Sequence, residues 1–139
     1  MKQVTEKLWI APQPKAADFE EMKEKGIARI INNRPDSEEP GQPKATQSAA
    51  AASYLGMDSV HIPIVPGQVT VDKIRAFQKA LAEADGPVLA HCKTGARSLT
   101  LWAIGEVLDG RMTVAEIDGL GTRMGVDLAG ARNWLKANT

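Results

Sequence analysis

The sequence has almost no cysteine: Cys92 stands alone among 139 residues. A single thiol excludes an internal disulfide and a paired redox motif. Any covalent state of Cys92 must be discharged by a small molecule or another protein. Histidine is nearly as scarce. His61 and His91, far apart in sequence from each other, do not make a metal pattern with one cysteine, and no cofactor is expected. Neither sign of charge is in excess, since Lys+Arg and Asp+Glu both number 17. With no long basic run, that argues against a nucleic-acid binder and leaves room for a local positive pocket. The longest apolar stretch, around Leu99–Leu108, is too short and interrupted to span a bilayer. The opening MKQVTEKLWIAPQ has neither the apolar core nor the cleavage site of a signal peptide, so the expected location is cytoplasmic.

What is present is ordinary globular material, 43% hydrophobic and 24% charged, which predicts one domain over 1–139 with a single core. Lys7–Ala11 reads as a first strand, stopped by Pro12 and Pro14. Phe19 and Met22 share one face of a helix over Ala16–Lys25, and Gly26 is placed to end it. Ile27–Asn33 is rich in β-branched residues and reads as a buried strand, broken by Arg34-Pro35-Asp36. Ser37–Lys44 is the best candidate for an exposed loop. A helix over Ala45–Leu55 and a strand over Ser59–Val65 follow, the latter placed near an edge or a strand end by Pro63.

Thr70 is an N-cap for a helix whose Ile74, Phe77, Leu81 and Ala84 form one apolar stripe. Asp85-Gly86-Pro87 leads to a short apolar strand that reaches Cys92. The next helix, Ser98 to about Leu108, is apolar on most sides and therefore central. Thr113 and Glu116 form a capping box for a helix through about Leu120, and Leu128, Ala131 and Leu135 mark a last one. Strands alternating with helices predict an α/β sheet, mostly parallel and of about four strands, flanked by helices and closed by a C-terminal helical cluster. In such sheets ligands bind at the carboxyl ends of strands, where both Cys92 and Arg34 fall.

The stretch Pro87–Ser98 carries the chemistry. A buried strand, then Cys92-Lys93-Thr94-Gly95-Ala96-Arg97, then a helix start at Ser98, is an anion cradle with a thiol at its floor. A helix N-terminus and nearby cations, here Lys93 and Arg97, favour the thiolate. The N–H groups of Lys93, Thr94, Gly95, Ala96 and Arg97 can converge on an anion above the sulfur. Gly95 permits the turn, and Arg97 can grip two oxygens with its planar fork. Ser98 is expected to cap its helix and to offer its hydroxyl to the thiolate. Arg34 is a candidate second guanidinium for the site, against the plainer alternative of an ion pair with Asp36 or Glu38. Asn33 and Gln13 favour structural roles. His91 should face away from Cys92, since adjacent strand residues face opposite sides, and His61 reads as a satisfied strand histidine. Trp9, Trp102 and Trp134 read as packing residues.

Two chemistries suit a cysteine–arginine cradle. Cysteine phosphatases typically carry Cys-x5-Arg, with room for a tetrahedral phosphate. Rhodanese-type sulfurtransferases often carry a loop one residue shorter, fitted to a single transferred sulfur. This chain has Cys-x4-Arg. A phosphatase also needs a proton donor for its leaving alkoxide, and the neighbouring loop, Ile64-Val65-Pro66-Gly67-Gln68, has no carboxylate. Asp72 falls a few residues later, in a first helical turn where a capping role suits it better. The residues therefore predict a sulfurtransferase. A phosphatase acting through a Cys92 phosphoenzyme, and a non-catalytic anion-binding module, are the alternatives.

The chain also resembles the phosphatase-like domain of beta-lactamase-hydrolase-like proteins. The resemblance rests on Gln13-Pro14, on Ile31-Asn32-Asn33-Arg34-Pro35-Asp36 with Glu38-Glu39-Pro40-Gly41-Gln42-Pro43, on His61-Ile62-Pro63, and on His91–Ser98. It implies a dual-specificity-phosphatase-like fold and a sulfurtransferase activity. Sulfur would pass from thiosulfate or a persulfide, through a Cys92 persulfide, to cyanide, glutathione or another thiol, and a persulfide-oxidising enzyme is the implied partner. Two positions depart from the family pattern. Lys93 stands where arginine is common, keeping the charge without the fork. Ala96 stands where threonine is common and lacks its hydroxyl.

Overall fold

A computed structural model describes residues 1–139. The strands are β1 Lys2–Gln3, β2 Leu8–Ala11, β3 Arg29–Asn32, β4 Asp58–His61 and β5 Val88–His91. The helices are α1 Ala16–Glu24, α2 Ala45–Tyr54, α3 Val71–Glu83, α4 Ala96–Leu108, α5 Val114–Met124 and α6 Ala129–Asn138. They form one sheet in the order β1-β2-β5-β3-β4, in which β2, β5, β3 and β4 run parallel. The expected four-stranded parallel sheet is present. A fifth strand, the two-residue β1, is added antiparallel to β2, too short to leave a pattern in the sequence.

Alternation along the strands divides the core in two. Leu8, Ile10, Ile31, Val88 and Ala90 face α3, α4, α5 and α6, while Ala11, Ile30 and Leu89 face Phe19, Met22 and Ala52 of α1 and α2. β5 is buried at every residue because it lies between β2 and β3 and is covered on both faces. Ile74 and Phe77 of α3 and Leu99 and Ile104 of α4 are fully buried. Each such side chain contributes about 1.5–3 kcal/mol by leaving water. No helix is long and apolar enough to cross a membrane.

The caps at Thr70 and Thr113 form as expected: each threonine accepts a hydrogen bond from the N–H three residues on. α4 departs from expectation. It begins at Ala96 with Gly95 as its N-cap, and Ser98 lies inside its first turn. β4 stops at His61, before Pro63, and α5 runs on to Met124, where Gly125 at φ 67° ends it.

Candidate active site

The parallel register places Ala11, His91, Asn32 and His61 in one row across the carboxyl edge of the sheet. The residues just beyond that row therefore meet: Gln13 after β2, Cys92 after β5, Asn33 and Arg34 after β3, and Ile62–Ile64 after β4.

Cys92 is 1% exposed, and its Sγ accepts a hydrogen bond of 3.0 Å from the Gly95 N–H. That geometry requires Gly95. Its φ is +99°, a left-handed conformation that L side chains rarely adopt. The Ala96 N–H turns back onto Thr94 Oγ1 at 3.3 Å. The N–H groups of Lys93, Thr94, Arg97 and Ser98 form no bond within the protein. Four unpaired backbone donors and a helix N-terminus thus follow the sulfur in the same loop, the makings of an anion cradle.

Arg97 is fixed from behind. Its Nη1 and Nη2 donate to Glu38 Oε2 and Oε1 at 2.7 and 2.9 Å, and Nη1 also donates to the Ile64 carbonyl at 2.8 Å. Its Nε–H has no protein partner, nor has the second Nη2–H, so one edge of the fork stays open for an oxyanion.

Arg34 takes the plainer of its two expected roles, an ion pair with Glu38, and not a second grip on the ligand. It is 2% exposed, and its donors go to Glu38 Oε1, Glu39 Oε1 and Gln13 Oε1 at 2.9, 2.9 and 3.2 Å. It holds the two carboxylates in place. Lys93 Nζ lies 3.4 Å from the other Glu39 oxygen.

Both carboxyls stay ionised. Hydrogen bonds from Arg97 hold Glu38 down to about 2, against the opposing pull of partial burial and with Arg34 adding to the effect. Glu39 is also lowered, by its hydrogen bond from Arg34 and then by Lys93. Desolvation disfavours the buried Arg34 cation, and the two carboxylates outweigh it.

The family model for the phosphatase-like domain of beta-lactamase hydrolase-like proteins matches residues 1–109. The chain belongs to that family. The beta-lactamase hydrolase-like protein of Agrobacterium fabrum is 50% identical over 133 residues, which are 96% of this chain and 31% of that protein. The chain therefore spans about a third of the relative's length. Among solved structures, a Neisseria meningitidis protein provisionally described as a phosphatase superposes with a TM-score of 0.87 at 34% identity, covering 96% of this chain and 94% of the other. PTPMT1, solved with PI(5)P, gives 0.75 at 13% identity over 97% and 94% of the two chains, a likeness of fold alone. The fold is that of the cysteine-dependent dual-specificity phosphatases.

Around this phosphatase-like cradle the polar residues act as struts. Asn33 Nδ2 donates to the Ile62 carbonyl at 2.9 Å, and Asn33 Oδ1 accepts from the Ser98 hydroxyl at 2.7 Å. Ser98 is therefore neither a cap nor a thiolate partner. Its hydroxyl ties α4 to β3, because Ser98 lies within the first turn and faces the sheet. His61 Nε2 bonds the Arg34 carbonyl at 2.8 Å, the satisfied role expected of it. His91 faces the α1/α2 side, away from the sulfur, with Nδ1 3.4 Å from the Cys92 carbonyl and Nε2 unpartnered.

Burial holds His91 down to about 4, aided by the charges of Arg34 and His61 and opposed by the Cys92 carbonyl. Since the folded value is depressed from 6.5, the unfolded chain binds more protons between about pH 4 and 6.5. Stability should therefore fall by on the order of 3 kcal/mol as pH drops through that window. Urea midpoints across that range will show it, and His91→Asn should flatten the slope. An unchanged slope would assign the acid sensitivity elsewhere.

Sequence reasoning offered Glu38 only as a partner for Arg34, and missed its contact with Arg97 and any role for Glu39. Glu38 and Glu39 lie in the loop expected to be merely exposed, and its backbone is indeed largely so. Yet the Glu38 side chain turns inward to 20% exposure. Gln42 fastens the loop by donating to the Pro35 carbonyl and accepting from the Glu38 N–H. The usable signal was the dense Arg34-Pro35-Asp36, Glu38-Glu39 and Gln42-Pro43 signature itself, too specific for a passive loop.

Proposed function

We propose that this domain is a sulfurtransferase that uses Cys92 as its sulfur carrier. The observation that carries the reading is the pairing of both carboxylates at the cradle with cations. Glu38 and Glu39 are both committed to cations, and the loop after β4 offers Arg97 a carbonyl where a proton donor would be needed. A leaving group must then depart as an anion stable in its own right. Sulfite does; a simple alkoxide does not.

The Cys92 thiolate attacks the outer sulfur of thiosulfate, forming a Cys92 S–S bond as the donor's S–S bond breaks. The electron pair leaves with sulfite, and Cys92 persulfide remains as an anion. Attack by a second thiolate, such as that of glutathione, or by cyanide, removes the outer sulfur and returns Cys92 as thiolate. No proton donor is required. The open edge of Arg97 and the free N–H groups of Lys93, Thr94, Arg97 and Ser98 stabilise the departing oxyanion. Four residues between Cys92 and Arg97 suit a small transferred group.

Membership of a phosphatase-like family supports a second reading, phosphoryl transfer through Cys92. With no acid at hand, such a phosphatase would be confined to esters with acidic leaving groups. Intact-protein mass spectrometry separates the two. After thiosulfate, Cys92 should gain one sulfur that cyanide removes as thiocyanate. No added sulfur, together with a trapped phosphoenzyme from an aryl phosphate, would establish the phosphatase and end the sulfurtransferase reading.

A further inference from the structure

Beside the cradle runs a cleft of about 620 Å³, within the range that holds small organic ligands. Ala96 and Arg97 form its head, Ile64 and Pro66 one side, and Trp134 and Asn133 of α6 the other. Arg97 is the sole charged residue lining it. Lys93, Glu38 and Glu39 do not line it and are paired with one another, Arg34 and Arg97. Trp134, expected to be packing, is only partly buried here. Its one donor, Nε1–H, is spent on the Val69 carbonyl at 2.9 Å, which locks the indole as a wall and leaves it only an apolar surface to offer. Asn133 is exposed and its amide makes no bond within the protein.

A ligand whose anionic end lies against Arg97 must extend over these uncharged surfaces. A neutral, preferably aromatic, body gains contact there, whereas glutathione's charged ends would lose hydration with no partner in return. The α6 wall also lies outside the 1–109 stretch matched by the family model.

From this we infer that the cleft between Trp134 and the Ile64–Val69 loop binds the uncharged, aryl-bearing body of an organic sulfur donor whose anionic head occupies the Cys92 cradle. The donor class is an aryl thiosulfonate. Cys92 thiolate takes the outer sulfur, the S–S bond to the sulfonyl breaks, and a sulfinate anion leaves with the electron pair. This inference rests on group transfer at Cys92 only for its chemistry; binding in the cleft can be read separately.

The turnover arm compares benzenethiosulfonate with methanethiosulfonate. kcat/KM should favour the phenyl donor by tenfold or more, and Trp134→Ala should bring the ratio near one by raising KM for the phenyl donor. Because Trp134→Ala also removes a packing contact, Gly130→Phe serves as a second variant. Gly130 lines the cleft, and a Cβ there meets nothing within 4 Å, so a phenylalanine has room to enter the cleft and should cause the same loss. The binding arm measures phenylphosphonate against methylphosphonate by calorimetry, with no chemistry required. Tenfold tighter phenyl binding that Gly130→Phe removes, with no sulfur transfer, would sustain the cleft and sink the sulfurtransferase reading. Equal affinities, no binding of either, or a phenyl preference that survives in both variants would overturn the cleft.

Discussion

Cys92→Ser is expected to abolish transfer, by about four orders of magnitude or more, while leaving the fold intact. A serine hydroxyl is a nucleophile only when a base removes its proton. None is placed to do so. His91 Nδ1 faces the Cys92 carbonyl and its ring lies on the α1/α2 face of the sheet, and Glu38 and Glu39 are engaged by Arg97, Arg34 and Lys93. The replacement is nearly the same size, and the Gly95 N–H can donate to oxygen as it does to sulfur. Thermal unfolding should therefore be close to wild type, and the variant should gain no mass with thiosulfate. Turnover above about one per cent in a cysteine-free preparation would show that Cys92 is not the nucleophile, given how far removal of a nucleophile normally depresses kcat.

Glu38→Gln should weaken both activity and stability. Glu38 is shared by Arg97 and Arg34, and its amide counterpart can accept hydrogen bonds at one oxygen only. Arg97 would keep the Ile64 carbonyl but lose the paired contact that orients its open edge. The expected fall in kcat/KM is roughly 10–100-fold, in the range seen when a group that aims a catalytic residue is lost. Arg34, almost wholly buried, would retain Glu39 and Gln13 as partners. The stability cost should be about 1–3 kcal/mol, since charge is left less well matched.

The pH profile gives a separate readout. Glu38 is lowered from 4.5 to about 2, so its contribution is present above pH 4.5 and lost as pH falls toward 2. Glu38→Gln should lack that acid limb. Faster turnover in Glu38→Gln would mean that the carboxylate blocks Arg97 instead of aiming it.

Much of the frame was legible because local rules govern it. The stripe Ile74–Phe77, the caps at Thr70 and Thr113, and the strand leading to Cys92 all depend on residues a few positions apart. The helix start was misread by two residues because Gly95, at φ +99°, serves as N-cap without a side chain. Serine is a commoner N-cap than glycine, so the pattern pointed to Ser98. The two-residue β1 was missed because it is paired to β2 by backbone bonds that almost any residue can make.

The thiol, the arginine four residues beyond its neighbour, the glycine that turns the loop and the parallel α/β frame were determined by the sequence alone. Each is a matter of residue type and short spacing. The tertiary structure alone decided what surrounds them. Glu38 meets Arg97 across 59 positions of chain, and Trp134 reaches the same cleft from the last helix. Those meetings follow from the order β2-β5-β3-β4 and from the packing of α6 against α4. Strands of similar apolar character can be ordered in several ways, so strand periodicity does not reveal which loops become neighbours.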